Sequence, residues 1–234
     1  MNELISVAVE SILVGTVKRI GEPPFTSAIS KHPVNTPIRV TFNGLEGDEQ
    51  ADRKHHGGPE KALHLYPREH YTYWQQLSAA LIFNVPGAFG ENLSTRGLTE
   101  RDVCIGDVFT LGTALIQVSQ VRQPCWKLNR RFAIKHMARL VQESGYTGWY
   151  FRVLREGCVQ AGDLLLPTQR LHPGWPLSRL NQALYCRTHV ADHLAELAAL
   201  ASLSPGMRKL FFHRLARAET EVWTERLEGP QHTE

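Results

Sequence analysis

Cys125 is the residue whose surroundings best suit chemistry. It follows a strand-like segment and lies among Arg122, Lys127, Arg130, Arg131, Lys135 and Arg139, in a stretch from 108 to 142 that contains no Asp or Glu. Nearby positive charge favours the thiolate, which is both a nucleophile and a metal ligand. The same cations suit an anionic ligand. Pro124, directly before the cysteine, has no N–H to give a β-ladder, so Cys125 is expected where the strand lets go.

Other groups are available to a site around this thiol. His55 and His56 stand on a turn with Gly57 and Gly58. Such a turn can present imidazoles to a metal or backbone N–H groups to an anion. Without a further ligand at regular spacing it is weak evidence for zinc, and a polar turn with incidental histidines fits as well. Glu46, Asp48, Glu49 and Asp52 lack the alternation of a calcium loop and read as a solvated loop. Lys61 precedes a strand, and Asn92 follows Gly90 in a second glycine-rich loop. Cys104, Cys158 and Cys186 share no CxxC spacing with Cys125 and read as buried, inert thiols. Two alternatives stay open on residue types alone. Cys125 with His56 or His64 as base would make a hydrolase. Trp126 stacking among Arg122, Lys127, Arg130 and Arg131 would bind a nucleic acid, against which the net charge of only +3 counts.

The elements that must position these residues are mostly short strands. Val- and Ile-rich segments lie at 5–19, with residues 14–17 continuing strand-like around Gly15. Residues 21–36 hold three prolines and read as a long loop, and residues 38–42 alternate apolar and polar like a half-buried strand. Further strands are expected at 62–66, 104–111, 114–121, 149–154, 159 and 164–166, with Gly112-Thr113 as a tight hairpin. Helical spacing appears at 68–81 and 132–144, the second stopped by Gly145. Many short strands with glycine turns predict a mainly β protein with α elements, a barrel or sandwich over 1–168. From 169 to 234 the pattern changes to three amphipathic helices, around Leu177/Leu180/Leu184, after Thr188, and after Ser204-Pro205. So small a bundle is expected to lean on the barrel.

Composition adds exclusions. The chain has 234 residues, 42% hydrophobic and 21% charged, ordinary for a globular protein. No apolar run reaches the roughly 18 residues of a membrane helix, and the N-terminus lacks the basic and apolar regions of a secretory signal. A cytoplasmic protein with reduced thiols is expected, with no membrane and no nucleic-acid partner. A homodimer is one of the oligomeric states the sequence leaves open.

Five motifs in order, GLEGDEQ at 44–50, HGGPEKA at 56–62, FGENL at 89–93, IGD at 105–107 and VSQVRQPCWKL at 118–128, resemble the MOSC domain, named after the C-terminal domain of molybdenum cofactor sulfurase. The helical tail resembles the three-helix extension of its YiiM-like branch. The resemblance implies a MOSC-type β-barrel with peripheral helices and a small C-terminal three-helix domain. It implies the molybdenum cofactor as ligand, a pyranopterin phosphate (molybdopterin) whose dithiolene holds molybdenum, with Cys125 as the thiolate to the metal and the catalytic residue. His56, Gly57, Gly58, Lys61, Asn92, Arg122 and Lys127 become expected cofactor contacts. The implied activity is reduction of N-hydroxylated compounds such as 6-N-hydroxylaminopurine, with electrons from an external flavoprotein. A cofactor-binding or sulfur-carrier protein without turnover is the alternative. The absence of a GxGxxG motif agrees with an external donor.

Overall fold

The computed structural model describes residues 5–21, 24–52, 57–77, 81–186 and 190–230. His55, His56 and the proposed helix cap Thr188 lie outside them.

Thirteen strands are described: β1 (Val7–Val14), β2 (Lys18–Ile20), β3 (Phe25–Ser27), β4 (His32–Pro33), β5 (Ile38–Thr41), β6 (Gly44–Leu45), β7 (Leu63–Pro67), β8 (Leu93–Thr95), β9 (Val108–Leu111), β10 (Ala114–Val121), β11 (Trp149–Arg155), β12 (Gly157–Val159) and β13 (Leu164–Gln169). The main sheet runs β13-β9-β10-β11-β7-β8-β1, and β13 also pairs with β1. That last pairing, Val7 opposite Leu165, closes a seven-stranded barrel. Closure leaves no free edge among those strands. All pairings around the barrel are antiparallel except β7 with β8. β9 and β10 form the expected hairpin across Gly112-Thr113. The interior is apolar, built from residues such as Val9, Leu63, Phe109, Ile116, Val118 and Phe151, each 0% exposed.

Several local expectations need correction. The run 21–36 is not one long loop: β3 pairs with β2, and β4 extends the sheet from β1. β1 ends at Val14 rather than continuing through Gly15, whose N–H goes to Asp48 Oδ1 instead of a ladder partner; Gly15 also packs so closely on Ala28 that a Cβ would lie 2.6 Å from its carbonyl oxygen. The helix expected at 132–144 is found over the shorter span of α3 (Met137–Ser144), stopped by Gly145 as expected, and a separate helix, α2 (Lys127–Phe132), precedes it. Ala133, in left-handed conformation at φ 54°, ends α2 by donating its N–H to the Asn129 carbonyl, a C-cap. The Asn129 side chain then accepts from Ala138 N at 2.7 Å to start α3. The first helix, α1, is described over Arg68–Leu77; residues 78–80 of the expected helix lie outside the described residues, and Leu81 opens a 3-10 turn (Leu81–Asn84). Cys158 and Cys186 are exposed, and only Cys104 among the three remote thiols is buried. Burial pushes the Cys104 thiol up to about 11, with Asp107 adding to the effect.

Beyond the barrel come α4 (Leu177–Tyr185), α5 (Ala191–Ala199), α6 (Pro205–Arg217) and a short α7 (Thr224–Glu228). Ser204 caps α6 by accepting from Met207 N, with Pro205 in the first turn. Leu177, Leu180, Leu184, Leu197 and Phe211 join the same buried cluster as the barrel interior. A second cluster, under Tyr66, Trp74, Phe89, Leu128 and Val141, receives Leu227 of α7. Three helices were expected; the fourth returns the chain end to the Cys125 side of the barrel. No described helix is long and apolar enough to cross a membrane.

Candidate functional site

β10 delivers the central residues. Its ladder ends at Val121, where Arg122 N still donates to Gly148 O at 3.1 Å. Residues 122–125 then run without regular pairing, as Pro124 requires, and the Cys125 carbonyl accepts from Leu128 N at 3.0 Å to begin α2. Gly148 is obligatory in this arrangement. It has φ +69°, and an added Cβ would lie 2.4 Å from the Leu65 oxygen and 2.9 Å from His64 Nε2.

A cleft with about 690 Å³ of empty space, part of it open to solvent, lies over this end of the barrel. Its lining includes Cys125, Lys61, Arg122, Lys127, Asn92 and, from other segments, Lys31, Asp48, His64 and Tyr150. Lys61 ends a 3-10 turn (Pro59–Lys61) that Ser119 Oγ fastens to β10 through the Glu60 carbonyl at 2.6 Å. Glu60 also takes the Arg152 guanidinium on its carboxylate. Burial lowers the Lys61 pKa, opposed by the charges of Asp52 and Cys125. Gly57 and Gly58 lead into this turn without contributing to the lining. His56 lies outside the described residues.

Asn92 borders the cleft, yet its carboxamide is largely engaged by the protein. The oxygen accepts from His64 N at 3.1 Å, and the nitrogen donates to Leu13 O at 3.1 Å and to Asp48 Oδ2 at 2.8 Å. Asp48, expected in a solvated loop, has a side chain only 2% exposed. Its Oδ1 accepts from Gly15 N at 2.8 Å and from the Lys31 ammonium. A carboxylate becomes tolerable at such depth because every oxygen is answered. Burial lowers the Lys31 pKa, outweighing the opposing pull of Asp48.

The neighbouring loop has its own internal anchor. Glu91, fully buried, accepts from Gly87 N at 2.6 Å, Phe89 N at 3.1 Å and the Tyr71 hydroxyl. Arg131 grips the same loop through Ala88 O, Gly87 O and Ser30 Oγ. The basic run therefore divides. Arg122 and Lys127 line the cleft, Arg131 holds the 87–89 backbone, Arg130 lies over the Phe25 ring at 5.8 Å, and Arg139 pairs with Glu228.

Two polar atoms of the lining are buried and have no hydrogen-bond partner among the described residues: Arg122 Nη1 and His64 Nε2. Arg122 is 5% exposed, its Nη2 donates to Phe89 O at 3.3 Å, and the guanidinium lies within reach of the Tyr150 hydroxyl. Burial, reinforced by Arg122, holds the His64 pKa well below the usual histidine value, so the imidazole is neutral. Buried polar atoms ordinarily find partners, and orphans in a cleft mark where a ligand completes the set. Among the described residues no group of three or more His, Cys, Asp or Glu could hold a metal by itself. One thiol ringed by cations suits a metal that brings other ligands with it, and a soft metal at that. The residues present fit an anionic, phosphate-bearing metal cofactor.

Lys31, Asp48, His64, Tyr150 and Glu91 are the contributors that sequence reasoning missed or used otherwise. Asp48 and Glu91 lie inside the GLEGDEQ and FGENL motifs, which was the available signal; Lys31 had none.

The MOSC domain pattern matches residues 52–165, and that of the YiiM-like, 3-alpha helix domain matches 175–218. YflK of Bacillus subtilis (strain 168) is 42% identical over 191 residues, covering 82% of this chain and 86% of YflK. Protein YiiM of Escherichia coli (strain K12) is 42% identical over 208 residues, covering 87% and 91%. The crystal structure of YiiM from that species superposes with a TM-score of 0.82 over 96% of this chain and all of the other. A protein named "Reductase" from Gibberella moniliformis (strain M3125 / FGSC 7600) is 36% identical over 178 residues, 75% of this chain but 31% of the longer fungal protein.

Proposed function

Since the chain belongs to the MOSC family, in its YiiM-like branch, we propose that it is a molybdenum-cofactor-dependent reductase of N-hydroxylated compounds such as 6-N-hydroxylaminopurine. The family supports molybdenum-related chemistry, and the fungal relative's name supports a reductase. The observation that carries the reading is one thiol, Cys125, in a cleft with Lys61, Arg122 and Lys127 and with two unpartnered buried polar atoms.

Cys125 Sγ would be the protein's ligand to molybdenum. Arg122 Nη1 and the ammonium groups of Lys61 and Lys127 would meet the cofactor's negative charge, and neutral His64 Nε2 would offer one further hydrogen bond. Asp48, Asn92 and Glu91 hold the loops that carry these groups. When bound, the molybdenum centre supplies the two-electron chemistry, and the protein orients it. The overall change cleaves the N–O bond: the hydroxylamine takes two electrons and two protons and leaves as the amine and water. Burial makes the Lys61 ammonium a better proton donor, which suits it to the departing oxygen. The electrons come from a separate flavoprotein in the cytoplasm.

Expression in cofactor-competent cells, followed by molybdenum and pterin analysis and a hydroxylaminopurine reduction assay with a supplied flavoprotein, tests this. Bound molybdenum with turnover, both lost in Cys125→Ser, is the expected result. Molybdenum without turnover would leave the non-catalytic carrier. Protein with neither metal nor pterin would refute both.

A further inference from the structure

The two peptide groups that bound Cys125 close on one residue 102 positions after Pro124, in the C-terminal helix α7. Arg226 Nη1 donates to the Pro124 carbonyl at 2.5 Å, and the Arg226 carbonyl accepts from Trp126 N at 2.7 Å. We propose that Arg226 is the positioning residue for Cys125, and that the segment 226–229 is a strap fixing the thiol over the cleft; the link to metal binding rests on the cofactor reading above.

The need for such a strap follows from the sequence. Pro124 has no N–H, and the β10 ladder has already ended at Val121, so no strand fixes the peptides around Cys125. Arg226 is itself fixed. Its Nη2 donates to Gln142 Oε1 at 2.6 Å, which anchors the guanidinium to α3. Leu227 is 2% exposed in the second core cluster, and its carbonyl accepts from Asn129 Nδ2 at 2.7 Å. Gly229, at φ +94°, lies flat on the Trp126 ring, where a Cβ would come within 3.3 Å of Cγ and Cδ2. The strap thus touches the residue before Cys125, the residue after it, and the first turn of α2. A planar guanidinium bridging two oxygens in fixed directions is a task that arginine does better than lysine.

The test uses metal-free full-length protein. Arg226→Met is compared with wild type for alkylation of Cys125 by iodoacetamide at one fixed pH, resolved by peptide mapping, and for hydrogen exchange at the Trp126 amide. Cys158, exposed and remote, is the reference thiol in the same sample. Exchange at the Trp126 amide is expected to rise about tenfold, the scale of losing a charged hydrogen bond; the Cys125 rate, corrected for the thiolate fraction measured in each variant because Arg226 also carries a charge beside the thiol, should rise with it, with Cys158 unchanged. Arg226→Lys keeps the charge and one donor for the Pro124 carbonyl but loses the fixed bridge to Gln142, and should recover part of the effect, which a merely destabilising change would not. Arg139→Met, which cuts the exposed pair to Glu228, should do neither. Rates within twofold of wild type in a folded Arg226→Met protein would overturn the proposal. If that variant does not fold, Gln142→Ala decides: raised Trp126 exchange supports the strap and unchanged exchange refutes it. Molybdenum content is measured separately. Wild type without molybdenum would defeat the cofactor reading and leave the thiol result standing. Equal molybdenum in wild type and Arg226→Met would defeat the link between strap and metal.

Discussion

Asp48 and Lys31 form a buried ion pair in the lining of the cleft, their side chains 2% and 7% exposed. The pair ties the GLEGDEQ loop to the chain before β4, and Asp48 also receives Gly15 N and the Asn92 carboxamide. It is a fixed part of the wall beside which Cys125 stands.

Removing one partner should cost much more than removing both. Asp48→Ala strands a buried ammonium and is expected to destabilise by about 3–5 kcal/mol. Lys31→Met combined with Asp48→Asn keeps the carboxamide-compatible contacts without either charge and should recover at least about half of that loss. Chemical denaturation of the two variants checks it, and equal losses would show that the pair's charges are not what matters there.

His64 sets a pH signature. Its folded pKa is held well below 6.5, so below 6.5 the unfolded chain binds a proton that the folded one refuses. Stability is therefore full above about pH 6.5 and falls as the pH drops, by up to about 1.4 kcal/mol per unit, until the folded pKa is reached. In His64→Gln this contribution is absent, and the acid limb measured by urea denaturation should flatten by that slope. An unchanged slope would mean the imidazole is protonated in the native protein.

Arg122 should matter little to the fold and much to the ligand. Its Nη1 has no partner among the described residues, and its Nη2 makes a long bond to Phe89 O. Arg122→Met in metal-free protein is expected to shift stability by no more than about 1 kcal/mol either way, while molybdenum retention falls at least about tenfold with loss of a charged contact. A stability loss above about 3 kcal/mol with full retention would assign the residue to the fold instead.

Gly148 is set by geometry. Gly148→Ala meets both a positive φ and the Leu65 oxygen, and is expected to destabilise by about 2–4 kcal/mol. A melting-temperature change indistinguishable from zero would contradict the close packing of β7 against the turn that starts β11.

The buried carboxylate Glu91 offers a test of loop order. Glu91→Ala leaves Gly87 N, Phe89 N and the Tyr71 hydroxyl without their acceptor, and about 3 kcal/mol should be lost. Faster hydrogen exchange should concentrate at residues 87–89, and protection there at the wild-type level would refute the anchoring role.

The sequence by itself determined most of the barrel strands, the hairpin at Gly112, the Ser204 cap and the end of the β10 ladder before Pro124. Each depends on side-chain alternation, a cap or a missing N–H within a few residues, all local facts of covalent geometry. It also determined, through its motifs, which family the chain belongs to. Only the tertiary structure decided which cations face the cleft, because Arg122, Arg130 and Arg131 are equivalent in composition and differ only in what the fold brings against each. It moved Asp48 from solvent to a buried pair with Lys31, since the partner lies 17 residues away on another segment. It also brought Arg226 onto both sides of Cys125, a closure between chain regions about which no local pattern carries information.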